Sequence, residues 1–276
     1  MWEKEKLLPE IWGIINLSED SFYPPSRTKT QDIIKVSEEL LKEGADMLDL
    51  GAESTRPGSR PISWQEEIRK LKEALLHLRQ YYGQEFLAQK VSVDTYKREV
   101  AAEVLSLGVR TINDIKAGRD RDMLQLVANA GAQIVLMHMQ NEPYNMQDNP
   151  TYQDVVAEVM EFLDTQTRKA LDIGVRAEKI IWDYGIGFGK TLEHNLKLLA
   201  ATPRFLEKGF RLLVGVSRKS FLGKLLDIPE PEERREASLV VHTYLALKGV
   251  SILRTHDVRD AWQMRCVLKA LMDHAI

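Results

Sequence analysis

The residues best suited to chemistry lie in the stretch Ile180–Thr191, where an apolar run ends at Asp183 and a glycine-rich loop follows. A carboxylate at the end of a buried strand is costly to desolvate unless it binds a partner. The glycines at positions 185, 187 and 189 allow positive φ angles and a close approach of the backbone to a ligand. The end of the stretch, Gly189-Lys190-Thr191, matches the end of a phosphate-binding P-loop, but that motif also needs a glycine where this chain has Tyr184. The stretch therefore predicts the floor of a binding site that is not a P-loop.

Each of the remaining strand-like runs of the chain also ends in polar side chains. The exits carry Asn16, Glu53-Ser54-Thr55-Arg56, Asp94, Asn113-Asp114, Met137-His138, Asp183, Ser217-Arg218-Lys219-Ser220 and Arg254-Thr255-His256-Asp257. One such residue usually caps the helix that follows. Polar groups at all eight exits are better explained by a binding site.

The elements that must position these residues alternate between strand and helix from end to end. The strand-like runs are Ile11–Leu17, Met47–Glu53, Lys90–Asp94, Thr111–Ile115, Ile134–His138, Ile180–Asp183, Leu212–Ser217 and Ser251–His256. Segments with apolar residues at three- and four-residue spacing separate them, which indicates helices and parallel strand pairing. Eight such units predict an α/β protein, a (β/α)8 TIM barrel formed by one domain over residues 1–276. A doubly wound open sheet is the second choice, and it would place its glycine-rich turn after the first strand, where this chain has Ser18-Glu19-Asp20.

The residue types at the exits divide into three chemical groups. Acids and an amide suited to the N–H edge of a planar heterocycle are Asp94, Asn113 and Asp183. A cationic set that would hold a phosphate or diphosphate comprises Arg56, Lys219, Arg254 and His256. Asn16 with Asp20 could hold Mg2+, which keeps much of its water and often joins substrate phosphates. These groups predict a small-molecule enzyme that handles a heterocycle and a phosphorylated leaving group.

The bulk properties narrow the class further. A chain of 276 residues with 44% hydrophobic residues can bury a large core, and a net charge of -3 argues against nucleic acid as a partner. The single cysteine, Cys266, excludes a disulfide framework, and its helical surroundings predict a buried thiol. The acid-containing N-terminus shows no signal peptide, and no apolar stretch is long enough to span a membrane. We therefore expect a cytoplasmic protein without a membrane partner.

Motifs over almost the whole chain resemble the dihydropteroate synthase family of folate biosynthesis. The matching segments are Gly13–Phe22, Glu53–Gly58, Val93–Lys97, Ile112–Ile115, Leu136–Asn141, Asp183–Lys190, Gly215–Gly223 and Arg254–Val258. Glu-Ser-Thr-Arg-Pro-Gly and Ser-Arg-Lys-Ser-Phe are specific together. The resemblance implies a TIM-barrel transferase that condenses dihydropterin-CH2-diphosphate with p-aminobenzoate and releases diphosphate. It also implies dissociative substitution, a Mg2+ cofactor, a homodimer and a target for sulfonamides.

The resemblance also implies a role for each matching residue. Pterin binding falls to Asp94, Asn113, Ile115, Met137, Asp183, Gly215 and Lys219. Diphosphate binding falls to Asn16, Thr55, Arg254 and His256, with Asn16 also the Mg2+ ligand. The p-aminobenzoate pocket would use Thr55, Arg56, Pro57, Phe188, Lys219 and Ser220. The catalytic residues would be Asp20, Asp94, Asp183 and Lys219.

The chain departs from the family pattern at four places. Glu19 and Tyr23-Pro24-Pro25 alter the first loop, Tyr184 replaces a proline after the key acid, and Lys116 replaces a small or aromatic residue. None of these changes removes a proposed ligand. A pterin-dependent methyltransferase and a pterin-binding paralogue without catalysis stay open as alternatives. The segment Asp260–Met272 is a candidate surface for the homodimer.

Overall fold

The computed structural model describes residues 8–17, 28–54, 59 and 61–274. Four of the predicted site residues, Asp20, Thr55, Arg56 and Pro57, lie outside these described residues. So do Glu19 and the Tyr23-Pro24-Pro25 segment of the first loop.

Eight parallel strands form a closed barrel in which each strand pairs with its neighbours in sequence, and β1 pairs with β8. The strands are β1 (Glu10–Asn16), β2 (Met47–Gly51), β3 (Val91–Asp94), β4 (Thr111–Asp114), β5 (Gln133–Met137), β6 (Ile180–Asp183), β7 (Arg211–Gly215) and β8 (Ile252–Thr255). Each strand begins and ends within a few residues of its predicted bounds. The (β/α)8 prediction is therefore confirmed, and the open sheet is excluded.

Helices cover the outside of the barrel. They are α1 (Ile33–Glu43), α2 (Trp64–Tyr82), α3 (Gln84–Lys90), α4 (Arg98–Leu107), α5 (Arg121–Asn129), α6 (Val155–Ile173), α7 (Leu192–Ala200), α8 (Thr202–Leu206), α9 (Ser220–Leu226), α10 (Arg235–Lys248) and α11 (Val258–Asp273). Short 3-10 turns span Thr30–Asp32, Ala177–Lys179 and Pro231–Arg234. None of the helices in the described part of the chain is long and apolar enough to cross a membrane.

The barrel interior is apolar at one end and polar at the other. Its apolar layer consists of buried residues from six strands: Trp12, Met47, Val135, Ile181, Leu213 and Ile252. Because side chains alternate along a strand, the residues two positions further on face the same interior. Ile181 is thus followed by Asp183, and Ile252 by Arg254, so the polar side chains gather at the carboxyl end of the barrel.

The strand register brings the predicted site residues into one row. Asn16 lies opposite Gly51, Gly51 opposite Asp94, and Asp94 opposite Asn113. On the far side of the barrel, Met137 is paired with Asp183 on the adjacent strand, and Gly215 is paired with Arg254. Residues far apart in sequence therefore share one mouth because the strands are parallel and in order.

Two expectations about the C-terminal quarter were wrong. Cys266 is exposed, because the buried face of α11 passes through Ala261, Met264 and Leu268, and Cys266 lies off that face. The segment Pro229–Arg235 is more than a solvated loop, because it contains a 3-10 turn and a buried arginine, Arg234. The Arg234 guanidinium donates to the backbone oxygens of Arg218, Ile228 and Pro229, which ties the segment to the loop after β7.

Candidate active site

Asp183 lies at the floor of the barrel mouth with only 7% of its surface exposed. Its Oδ1 accepts a hydrogen bond from Gly185 N at 2.7 Å, and its backbone oxygen accepts one from His138 N at 3.0 Å. Gly185 has φ 67°, and a Cβ there would lie 2.0 Å from the His138 oxygen, so the turn requires glycine. Burial raises the pKa of Asp183, while Lys219 and the Gly185 N–H favour its ionised form. The carboxylate is thus held in place, with Oδ2 and a second acceptor position on Oδ1 left for a ligand.

Arg254 joins two acids at the carboxyl end of the barrel. Its Nε donates to Asp49 Oδ2 at 2.5 Å, and its Nη2 donates to Asp94 Oδ2 at 2.9 Å. Asn113 Nδ2 also donates to Asp49 Oδ2, at 3.3 Å. Burial raises the pKa of Asp94 to about 7, with the Arg254 charge opposing the shift. Arg254, predicted from sequence as a diphosphate ligand, is therefore also the counter-ion of the acids on the pterin side.

Asp49 is the site residue that sequence reasoning missed. It lies in the middle of β2, fully buried, and among the described residues its Oδ1 has no hydrogen-bond partner. A lone acid inside the apolar run Met-Leu-Asp-Leu-Gly was a usable signal, because such a carboxylate must be paired or bind something. Asp49 lies two residues before the end of its strand and is therefore not among the polar residues at the strand exits.

Lys219 directly precedes α9, and its side chain lies in the mouth. Its Nζ donates to the Ile186 backbone oxygen at 2.5 Å and lies 4.8 Å from the centre of the Phe188 ring. Burial lowers the pKa of Lys219 to about 8, and the nearby Asp183 carboxylate opposes that shift. Ser220, the first residue of α9, follows directly. Lys219, Phe188 and Asp183 thus lie close together at the mouth.

An apolar wall adjoins this side of the mouth, since Met137 on β5 is paired with Asp183 on β6. Ile115, Met137, Met139 and Met146 make a small buried cluster against which Tyr96 and Phe188 pack. Ile115 and Met137, the two predicted apolar walls of the pterin pocket, are thus in one cluster. Flat apolar surfaces facing a set of acids suit a planar heterocycle.

His256 lies on the face of the mouth that carries Arg254. Its Nδ1 lies 3.2 Å from Ser217 Oγ, and its backbone N donates to the same oxygen at 3.3 Å. Burial, together with the charges of Arg254, Arg218 and Lys219, lowers the pKa of His256 to about 3. The imidazole is therefore neutral near pH 7, so it would contact an anion through an N–H group rather than a full charge.

Arg218 joins the loop after β7 to the loop after β8. Its guanidinium forms a two-bond ion pair with Asp257, with distances of 2.6 and 3.0 Å, and donates to the oxygens of Pro231 and Glu232. Its φ is 56°, an unfavourable value for a side chain with a Cβ. Arg218 is buried and its guanidinium binds groups of both loops, so it holds the backbone beside Lys219 in place.

Other strand-exit residues serve the loops. Asp114 accepts from the backbone N–H groups of Lys116 and Gly118 at 2.8 and 2.7 Å, as a turn residue does. Glu53 accepts from Tyr96 Oη at 2.7 Å and Lys97 Nζ at 2.6 Å.

Two of the chain's departures from the family pattern contact neighbouring elements of the fold. Tyr184 is fully buried with its hydroxyl 3.2 Å from Thr202 Oγ1, so it packs against α8 outside the barrel. Lys116 forms an ion pair with Glu142 at 2.6 Å and lies 4.4 Å from the centre of the Tyr96 ring.

Asn16, the predicted Mg2+ ligand, ends β1 beside the side-chain-free Gly51. An amide oxygen is a ligand that Mg2+ accepts, and Mg2+ commonly completes its shell with water and substrate phosphate. Within the described ranges, no group of three or more His, Cys, Asp and Glu side chains could hold a metal ion. The residues present therefore suit a metal ion that binds together with an anionic substrate, not a permanent protein cage.

The fold and the mouth define the class: a TIM-barrel enzyme whose site combines buried acids, an apolar wall and a cationic rim. A family model described as "Pterin binding enzyme" matches residues 12–256. The dihydropteroate synthase of Escherichia coli K12 is 36% identical over 269 residues, covering 96% of this chain and 92% of the relative. The solved Yersinia pestis dihydropteroate synthase, in complex with a sulfonamide drug, has a TM-score of 0.90 at 34% identity and covers 96% of this chain and 95% of that one.

The Burkholderia cenocepacia dihydropteroate synthase, complexed with 7,8-dihydropteroate, has a TM-score of 0.85 at 34% identity and covers 96% of this chain and 92% of that one. The chain belongs to the pterin-binding enzymes and, among them, to the dihydropteroate synthase family.

Proposed function

We propose that this protein condenses dihydropterin-CH2-diphosphate with p-aminobenzoate to give dihydropteroate and diphosphate. The observation that carries the proposal is the convergence of Asp94, Asn113 and Asp183 beside Lys219 at the barrel mouth. A pterin needs such a set of acceptors for its amino-pyrimidine edge. The Burkholderia relative that binds 7,8-dihydropteroate supports the same product here.

The pterin would lie between the acids and the apolar wall. Asp183 would accept two parallel N–H bonds from the amino-pyrimidine edge, and Asp94 and Asn113 would contact the rest of the ring. Ile115 and Met137 would cover one face of the ring. Gly215 leaves the mouth open beside Arg254, because it has no side chain to fill that space.

The diphosphate would lie on the cationic rim. Arg254 supplies a permanent charge, His256 an N–H group, and Thr55 and Asn16 polar contacts. Mg2+, held by Asn16 and by the diphosphate oxygens, would neutralise charge on the leaving group. Asp20 follows β1 in the sequence and would contribute from the first loop.

The second substrate would enter between Phe188 and the loop after β2. Phe188 and Lys219 would contact the aromatic ring, and Ser220 would face its carboxylate. Thr55, Arg56 and Pro57 would close the pocket from the other side. An arginine such as Arg56 suits a carboxylate because it can donate two parallel bonds.

The reaction would follow dissociative substitution. The C–O bond to diphosphate breaks first, and the electron-rich pterin ring carries the resulting cation while Asp94 and Asp183 stabilise it. The neutral aniline nitrogen then attacks the methylene carbon and loses a proton. The protein's contribution is positioning and electrostatics, so no activated nucleophilic side chain is needed.

The deciding experiment measures diphosphate release from the pterin substrate with and without p-aminobenzoate. We expect release that depends on p-aminobenzoate, with dihydropteroate formed in equal amount. An Asp183→Asn variant should keep the fold but lose about 100-fold in kcat/KM, since two charge-assisted hydrogen bonds contribute about 3 kcal/mol. The absence of p-aminobenzoate-dependent release would leave a pterin-binding paralogue or a pterin-dependent methyltransferase as the better assignment. Near-normal kinetics of the variant would refute the assignment of Asp183.

We also propose that two copies of the chain form a homodimer through α10 and α11. These adjacent helices expose apolar side chains at four-residue spacing, Val240 and Tyr244 on α10 and Val267 and Leu271 on α11. Such a surface fits a second copy, because a two-fold axis brings each stripe onto the same stripe of its partner. The surface includes the segment Asp260–Met272 that the sequence suggested.

A further inference from the structure

Side-chain donors fix the glycine-rich loop after β6. All five backbone oxygens of residues 185–189 accept hydrogen bonds, four of them from side chains. In order, the donors are Phe188 N, Lys219 Nζ, Gln147 Nε2, Lys190 Nζ and Tyr152 Oη, at 3.1, 2.5, 2.5, 2.9 and 2.8 Å. The loop has no regular secondary structure, so these donors set its conformation.

Lys190 is the donor that is most costly to keep in place. It is only 2% exposed, and its Nζ lies 3.1 Å from His138 Nδ1, 3.2 Å from His138 O and 2.9 Å from Phe188 O. These three acceptors match the three N–H groups of an ammonium. Within the described part of the chain, none of these partners is a carboxylate. A buried ammonium without a paired acid destabilises a fold, so its position needs a reason other than stability.

The contacts of Lys190 join the exits of β5 and β6. One ammonium holds the oxygens of His138 and Phe188 together, and this fixes the backbone that carries the Phe188 ring. The Asp183 half of the loop has separate supports, since Gly185 N and His138 N bind Asp183 directly. Removing Lys190 should therefore release Phe188 and leave the pterin floor in place.

We propose that Lys190 is a positioning residue for the second substrate, because it fixes Phe188 in the wall of the p-aminobenzoate pocket. This inference rests on the proposed function, in which Phe188 contacts p-aminobenzoate. The lysine that resembled the end of a P-loop thus acts on the protein's own backbone and not on a phosphate.

The test compares Lys190→Met with Lys224→Met. Lys224 is an exposed lysine that lines the same small cavity behind the loop, so it controls for loss of charge. In Lys190→Met, we expect the KM for p-aminobenzoate to rise about tenfold, because small displacements of positioning groups have effects of that size or larger. The dissociation constant of the pterin, measured by calorimetry, should stay at the wild-type value in both variants. An unchanged KM, or an equal loss of pterin affinity, would overturn the proposal.

Hydrogen exchange separates this proposal from the proposed function. In the unliganded proteins, the amides of residues 186–189 should exchange faster in Lys190→Met than in Lys224→Met, whatever reaction the protein catalyses. Equal exchange would refute the role of Lys190, whereas a wild-type protein without p-aminobenzoate-dependent turnover would refute the proposed function. Lys190→Gln keeps two N–H donors without a buried charge and serves if the Met variant does not fold. Its KM for p-aminobenzoate should lie between those of wild type and Lys190→Met, and a wild-type value would count against the proposal.

Discussion

Lys219 is the residue at which burial and neighbouring charge oppose each other most directly. Burial lowers its pKa to about 8, while Asp183 and Asp94 favour its charged form. Below that pH the ammonium is protonated and can donate to a pterin. Above it, the lysine loses both its charge and one N–H donor.

On the basic side, the kcat/KM for the pterin substrate should therefore fall as the pH rises through about 8. The direction follows from the lysine, whose active form is the protonated one. Arginine in the Lys219→Arg variant stays charged at these pH values, so its kcat/KM should not fall near pH 8. The value of kcat/KM itself will be lower than in wild type. A fall near pH 8 that persists unchanged in the arginine variant would assign the titration to another group, such as Lys190.

Most of the described residues at the barrel mouth could be predicted from the sequence. The prediction failed where the direction of a side chain decides whether the residue faces the mouth. Asn113 and Asp114 are adjacent, yet one faces the barrel and the other caps a turn, and only the strand register separates them. Asp49 was missed because it lies in mid-strand. Tyr184, whose exchange for proline had no explanation, packs outward against α8.

The loops after β7 and β8 act together because Arg218 and Asp257 bind each other across them. These loops carry Lys219 and His256, so their relative position sets the distance between the pterin side and the anion side of the mouth. The positive φ of Arg218 is unfavourable by about 1 kcal/mol, which the ion pair must offset.

Replacing Arg218 with glycine or alanine separates these two effects. Both variants lose the ion pair and leave Asp257 without its partner, which should lower the free energy of unfolding by about 2–3 kcal/mol. The glycine variant should be about 1 kcal/mol more stable than the alanine variant, since glycine tolerates the positive φ. Urea unfolding measures both differences. A glycine variant more stable than wild type would mean that the ion pair stabilises the fold by less than the positive φ of Arg218 destabilises it.

Among the secondary-structure elements, the order and position of all eight strands could be predicted from the sequence. The alternation of strand and helix patterns and the apolar runs are local signals. The prediction of a solvated loop at Pro229–Arg235 was wrong, because the structure of this segment depends on Arg234, which donates to the Arg218 oxygen 16 residues away as well as to nearby oxygens. Cys266 was wrong because a helical pattern gives the period of a buried face but not its angle to the barrel. Long-range contacts decide both features.

The described site residues lie at one end of the barrel, whereas the exposed apolar residues Val240, Tyr244, Val267 and Leu271 lie on its outer side. The described site residues, from Asn16 on β1 to His256 after β8, come from the strands of the barrel and the loops that follow them. The α10–α11 surface lies on the outer helical layer. Assembly through that surface can therefore change while the site stays intact.

Leu271→Asp tests this separation. Leu271 is 64% exposed on α11, and a charge there should prevent the surface from being buried against a second copy. Light scattering should give wild type twice the chain mass of 31.6 kDa, and the variant the mass of one chain. Leu171→Asp makes the same change on α6, at a residue 40% exposed, and should stay dimeric. The monomeric variant should keep a kcat/KM close to wild type, because Leu271 lies on the outer face of α11 and not among the described residues of the mouth. A monomeric wild type would refute the dimer, and a dimeric Leu271→Asp would move the interface to another face.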